Sequence, residues 1–144
     1  EAVEKPGNLG AILRTCDAAG VDGLIVCDGR TDVYNPNVIR ASLGAVFTVP
    51  VVSCAGRQAL DFLKERKIHA VGTFPDAKVT YDKKDYSKAS AIVLGSEQEG
   101  LSEFWHDNTD IKVTIPMSGR VNSLNVSATA AIVIYEAMRQ RRAK

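Results

Sequence analysis

Short apolar runs alternate along the chain with stretches of helical periodicity. Leu24-Ile25-Val26-Cys27 reads as a buried strand, and so do residues 46–52, 70–74, 91–94 and 111–115. Each run is short, rich in β-branched residues and bounded by Gly, Pro, Asp or Ser. Helical patterns cover 8–19, 37–43, 55–67 and 101–106, and a long one closes the chain over 123–142. Alternation of this kind predicts an α/β domain, with a mostly parallel sheet carrying helices on both faces. Residues 76–90 are polar, include Asp82-Lys83-Lys84-Asp85, and read as a solvated connection. There is no internal repeat.

The first helix has a defined start. Pro6-Gly7 signals a turn, and Asn8 is a good N-cap, a residue type worth about 1 kcal/mol in that position. Leu9, Ile12, Leu13 and Cys16 recur at helical spacing and form a buried stripe. Arg14 points about 100° away from the middle of that stripe. An arginine so placed is most often simply solvated; the sharper reading is a guanidinium offered to a phosphate from a firmly anchored helix.

Two later segments carry more chemistry. In 91–102, AIVLGSEQEGLS, a buried strand runs through Gly95 into a polar turn with Glu97 and Glu99, then Gly100 and a new helix. Ligands of parallel α/β sheets sit at the carboxyl ends of strands, and Gly95 would let one approach the backbone closely. A plain strand-to-helix turn explains the segment equally well. Neither GxGxxG nor GxxxxGK[ST] occurs, which counts against a dinucleotide-dependent oxidoreductase or an ATP enzyme. In the last third, a strand ends at Pro116 and a loop leads into Ser123-Leu124-Asn125-Val126-Ser127. Helix capping accounts for one of Ser123, Asn125 and Ser127 but hardly for all three. The following helix is apolar nearly all round, which predicts burial on every side, one face on the sheet and another on a second subunit. Ser127, Ala130, Ala131 and Ala137 would permit close backbone approach. Arg139, Arg141, Arg142 and Lys144 make its end basic, which complements the helix dipole; the alternative reading is phosphate contact.

Composition narrows the class. With 144 residues, 45% hydrophobic and 24% charged, the chain is one globular domain and not a disordered, collagen-like or disulfide-stapled polypeptide. Its 18 basic and 17 acidic residues give a net charge of +1, so any nucleic-acid surface must be local. Cys16, Cys27 and Cys54 show no CxxC, and His69 and His106 stand far from them, so a metal site is not expected and three reduced thiols in a cytoplasmic protein are. No apolar run approaches the roughly 20 residues that span a bilayer.

Three segments together resemble one family. Asn8-Leu9-Gly10-Ala11-Ile12-Leu13-Arg14-Thr15 is similar to the first motif of the SpoU/TrmH group of SPOUT RNA methyltransferases. Leu94-Gly95-Ser96-Glu97 through Gly100-Leu101-Ser102 is similar to the second. Ile115-Pro116-Met117 with Ser123-Leu124-Asn125-Val126-Ser127 is similar to the third. The motifs occur in family order and cover nearly the whole chain, 1–144 forming one methyltransferase domain. Residues 35–51, NPNVIRASLGAVFTVPV, also resemble members that modify large-subunit ribosomal RNA.

The resemblance implies an S-adenosyl-L-methionine-dependent ribose 2'-O-methyltransferase acting on RNA, ribosomal RNA before transfer RNA. It implies an α/β fold with a deep C-terminal trefoil knot and a homodimer formed through the C-terminal helix. Asn8, Arg14, Glu97, Ser123 and Asn125 fall on the family's active-site positions. Gly95, Ile115 and Leu124 fall on its cofactor-contact positions, with Thr73 and Met117 as pocket neighbours. Many relatives carry an N-terminal RNA-binding domain, and none is read in these residues. The competing expectation is a non-catalytic RNA-binding module on the same fold.

The implied reaction is an in-line displacement, in which a 2'-hydroxyl oxygen attacks a sulfonium methyl and loses its proton. A guanidinium is very hard to deprotonate, so Arg14 is expected to bind the adjoining phosphate and stabilise developing alkoxide charge. Glu97 is expected to hold Arg14 or Asn8 by a charge-assisted hydrogen bond, while Ser123 and Asn125 orient the ribose. All of this requires Arg14 and Ser123 to converge, within or across subunits, on a cavity beside Gly95 and Leu124.

Overall fold

Every pairing between strands in the computed structural model, which describes residues 1–142, is parallel. In chain order the elements are α1 (Pro6–Ala19), β1 (Leu24–Cys27), α2 (Pro36–Ala41), β2 (Val51–Cys54), α3 (Gly56–Glu65), β3 (His69–Thr73), β4 (Val79–Thr80), β5 (Ser90–Val93), α4 (Glu103–Asn108), β6 (Ile111–Thr114) and α5 (Val126–Arg142). β1 pairs with β2, Leu24 opposite Val51 and Cys27 opposite Cys54. The other four strands form a second sheet in the order β4-β6-β3-β5. The first residues lie across the gap between the sheets: Ala2 N donates to Cys27 O (2.9 Å) and Glu1 N to Leu94 O (2.8 Å).

Alternation along the strands sends side chains to two faces. On one face Val26 joins the α1 stripe of Leu9, Ile12, Leu13 and Cys16, with Ala130 and Ile134 of α5. On the other, Cys27, Ala70 and Val93 pack beneath Leu60 and Leu63 of α3 and Trp105 of α4. Val71 and Val113 meet Tyr86, Val133 and Ala137 in a third cluster. The expected architecture, parallel strands with helices on both faces, is thus present.

Several local expectations fail, each for a physical reason. Residues 46–52 do not form one buried strand. Gly44 takes a left-handed φ of 85°, a 3-10 turn covers Ala45–Phe47, and the strand starts only after Pro50, which has no N–H to donate. β2 borders β1 alone and leaves Val52 exposed. The first helix starts at Pro6 behind an extended Lys5, so Asn8 lies inside the first turn and is not its cap. The last helix starts at Val126 instead of Ser123. Asn125 caps it, accepting from Ser127 N (2.9 Å) on its side chain and from Thr129 N (2.9 Å) on its carbonyl.

Residues 76–90 are more than a solvated connection. They contain β4, a 3-10 turn at Tyr81–Lys83 and the fully buried Tyr86. The end of α5 clamps them: Gln140 accepts from Tyr86 N (2.9 Å) and donates to Lys84 O (2.9 Å), while Arg141 donates to Tyr86 O and Lys88 O. Arg139 is paired with Glu136. Two of the four basic tail residues therefore serve packing and pairing within the chain; Lys144 lies outside the described residues. Nor is α5 buried on every side. Val126, Ala130, Val133, Ile134 and Ala137 are buried, Ala131 and Ile132 are half-buried, and Tyr135 is exposed.

Candidate active site

The parallel strands send their carboxyl ends to one rim, and the three motif segments meet there. After β5 the chain passes Gly95 and folds back on itself in a tight loop. Ser96 N donates to Gly100 O (3.0 Å), Gly100 N to Ser96 O (3.1 Å), and Glu99 N to the buried Ser96 hydroxyl (3.1 Å). A Cβ on Gly95 would run into the backbone of Gly100 and Leu101. The glycine is needed for this loop closure, because the Cβ direction at Gly95 is filled by the returning backbone. The loop presents Glu97 toward α1.

Glu97 organises the centre of the site. Its Oε1 accepts from Asn8 Nδ2 (2.5 Å) and Lys5 N (3.3 Å), and its Oε2 from Glu4 N (3.2 Å). Asn8 Oδ1 in turn accepts from Asn125 Nδ2 (3.0 Å). Because Pro6 has no N–H and Lys5 and Asn8 lie at the open end of α1, the carboxylate of Glu97 meets donors that the helix itself leaves unpaired. One carboxylate and two amides thus tie the start of α1, the loop after β5 and the start of α5. Partial burial raises the Glu97 pKa, but the hydrogen bonds from Asn8, from the backbone of Glu4 and Lys5 and from its own N–H outweigh it and hold the carboxyl below its usual value.

A second set of contacts steadies the first. Arg30 pairs with the Glu4 carboxylate and, at 3.4 Å, with Glu99, while the Thr31 hydroxyl donates to Glu4 O. Glu1 accepts from Ser102 N (2.7 Å) and its hydroxyl (2.6 Å). None of these contacts was expected from the sequence. The only signal was the turn-forming run Asp28-Gly29-Arg30, which does not reveal where its arginine reaches.

The expected site residues divide into groups. Asn8, Glu97 and Asn125 are in direct contact. Arg14 is exposed and makes no hydrogen bond or ion pair among the described residues. It stands six positions after Asn8, so it points about 120° around the helix from it and lies about 9 Å further along. Glu97 therefore holds Asn8 and not Arg14. Ser123 is exposed, and among the described residues its side chain bonds to Asn122 (3.5 Å) and not to Arg14. Thr73 closes β3 and donates to Val93 O (3.2 Å) at the same rim. Ile115 follows β6 and packs on the third cluster, Met117 is half-buried, and the Leu124 side chain is 39% exposed. Among the described residues, the backbone groups of 117–124 enter no hydrogen bond.

Two open hollows, of about 380 and 370 Å3, run along Tyr135, Met138, Arg139 and Arg142 and beside Arg30 and Tyr34, and neither Gly95 nor Leu124 lines them. Among the described residues, no group of three His, Cys, Asp or Glu side chains is placed to hold a metal ion, and no helix is long and apolar enough to cross a membrane.

Comparison with known proteins gives the family. A protein assigned by name to the TrmH family of tRNA/rRNA methyltransferases, from Staphylococcus aureus (strain COL), is 39% identical over 142 residues, 98% of this chain and 57% of that protein. A crystal structure of an RNA 2'-O ribose methyltransferase superposes with a TM-score of 0.90 at 43% identity, covering 98% of this chain and 55% of the other. The SpoU methyltransferase AviRb from Streptomyces viridochromogenes, solved with its cofactor AdoMet, superposes with a TM-score of 0.94 at 35% identity, covering 99% and 59%. The chain thus spans 57% of the length of the curated relative it matches. The SpoU rRNA Methylase family matches residues 1–135, and the chain belongs to that family.

Proposed function

We propose that the protein transfers a methyl group from S-adenosyl-L-methionine to a ribose 2'-hydroxyl of structured RNA, ribosomal RNA before transfer RNA. The observation that carries this reading is the contact of Glu97, Asn8 and Asn125, which joins all three motif segments at the rim where the strands end. A non-catalytic module has no evident use for such a constellation.

The residues at this rim fit the cofactor chemically. Residues 117–124 carry N–H and C=O groups with no internal partners, suited to the edge of an adenine, and Ile115, Met117 and Leu124 offer apolar surface for its faces. Thr73 and the Gly95 backbone would line the inner side. When bound, the cofactor supplies a methyl group activated on a positively charged sulfur. The chain's own residues do the rest. Asn125 and Ser123 orient the ribose, and the Glu97–Asn8 pair fixes Asn125. Arg14 binds the adjoining phosphate and stabilises the charge that builds on the 2'-oxygen as its proton leaves.

Arg14 faces away from Asn8 in its own chain, so we place it in the active site of a second copy. The homodimer would use the outer face of α5, where Ile132 and Ala131 are half-buried and Tyr135 is exposed. The C-terminal knot and a cytoplasmic setting belong to the same reading.

The test uses the full-length protein with tritiated S-adenosyl-L-methionine and separate ribosomal and transfer RNA transcripts. Label in the ribosomal transcript, lost in Arg14→Ala while calorimetry shows unchanged cofactor affinity, supports the proposal. Cofactor binding with no transfer to either RNA favours the non-catalytic module.

A further inference from the structure

A patch beside α2 has no role in the site described above. Tyr34 is 58% exposed and Phe47 67% exposed, yet their rings stack, with centroids 6.4 Å apart and planes 24° from parallel. Leu43, between them in sequence, is 72% exposed and held at a φ of 53°. Leu43 takes the left-handed position that ends α2, where Gly44 N donates to Ile39 O (3.2 Å), and its exposed side chain adds apolar surface to the patch.

The surroundings say what it faces. Gly10 of α1 presses on Ala41, Val38 and Ser42 of α2, and Asp17 of α1 accepts from Thr48 beyond the 3-10 turn (2.6 Å). Gly10, Arg14 and Asp17 share one stripe of α1, which puts Arg14 on the side of α1 that carries the patch. Arg14 and Arg40 are exposed and have no ion pair among the described residues. The nearby carboxylates are engaged, Asp17 by Thr48 and Asp32 by Tyr34 N (2.9 Å). The hollow of about 370 Å3 opens along Tyr34, Arg30, Thr31, Asp32, Val33 and Ser53. Exposed aromatic rings on the side of the domain that also carries the unpaired Arg14 match unstacked bases on a phosphate backbone.

We propose that Tyr34 and Phe47 form a stacking platform for an unpaired base of the RNA, adjoining the nucleotide whose phosphate Arg14 binds. This rests on the methyltransferase reading and adds to it the part of the substrate that the same subunit grips: single-stranded or looped RNA, through base faces and not base edges.

The test is a fluorescence titration of the full-length protein with a ribosomal stem-loop carrying 2-aminopurine in its loop, with methyl transfer assayed in parallel. Wild type is expected to quench the probe. Tyr34→Ala/Phe47→Ala is expected to bind at least about tenfold more weakly with the quenching lost, at unchanged cofactor affinity. Tyr34→Phe, which keeps the ring, is expected to stay within about twofold. Equal RNA affinity and quenching in the double variant overturn the platform. So does a double variant whose light scattering shows a lost subunit contact, since the patch is then an interface between copies. RNA binding and quenching by wild type without methyl transfer instead refute the enzymatic reading and leave the platform supported.

Discussion

Asn8 donates its side-chain N–H to Glu97 at 2.5 Å, although 89 positions of chain separate them. That bond joins the first and second motif segments, and the 3.0 Å bond from Asn125 to the same Asn8 adds the third. The amide of Asn8 is held at both its oxygen and its nitrogen, so its orientation is set by the two partners together.

Glu97→Gln removes the charge and turns an amide toward donors that need an acceptor. Bonds to charged groups contribute about 1.5–3 kcal/mol each, and partial exposure reduces that here. We expect a loss of about 1–2 kcal/mol in urea unfolding, with a larger proportional loss of methyl transfer. A variant as stable and as active as wild type contradicts the anchoring role of Glu97.

Arg14→Ala is expected to leave the unfolding midpoint unchanged, since the side chain is exposed and makes no bond in its own chain. Its turnover is expected to fall by orders of magnitude at constant cofactor affinity. Arg14→Lys is expected to fail as well, because a point charge does not reproduce the planar fork. Calorimetric titration beside the transfer assay separates these outcomes.

The two faces of α5 make opposite predictions. Ile134 is buried against the first core cluster, whereas Ile132 is half-buried on the outer face. Ile134→Asp places an unpaired charge in the core and is expected to cost at least about 3 kcal/mol, enough to unfold a marginal domain. Ile132→Asp is expected to keep the fold and give a monomer by light scattering. A folded, active dimer from Ile132→Asp shows that the partner does not use this face.

Periodicity made the α1 stripe legible, because Leu9, Ile12, Leu13 and Cys16 repeat at the helical period and all four are buried. The same local logic misplaced Asn8, whose side chain serves Glu97 and Asn125 and not its own helix. It also misread residues 76–90, since Tyr86 is drawn into the core by Gln140 and Arg141, more than 50 positions away. Chain-distant bonds leave no periodic trace. The motif resemblance named Asn8, Glu97 and Asn125, which the fold brings together, but gave no sign that Arg14 points away from them.

Acid stability gives a prediction with a definite sign. Hydrogen bonds from Arg139 (2.8 Å) and Gln140 (2.7 Å) pull the Glu136 carboxyl down to about 2, and Glu97 is also lowered. A carboxyl depressed on folding contributes stability above its unfolded value of 4.5, and that contribution is lost as pH falls through the folded value. Stability is therefore expected to drop between about pH 4.5 and 2, with a shallower slope in Glu136→Gln. Urea midpoints across that range check it.

The most direct test of the central claim is the identity of the methylated product. RNA labelled by the full-length protein with tritiated S-adenosyl-L-methionine is digested to nucleosides and separated by chromatography. The arrangement of Arg14, Glu97 and Asn125 predicts label in a 2'-O-methyl nucleoside that disappears in Arg14→Ala. Label in a base-methylated nucleoside, or label that persists without Arg14, contradicts it.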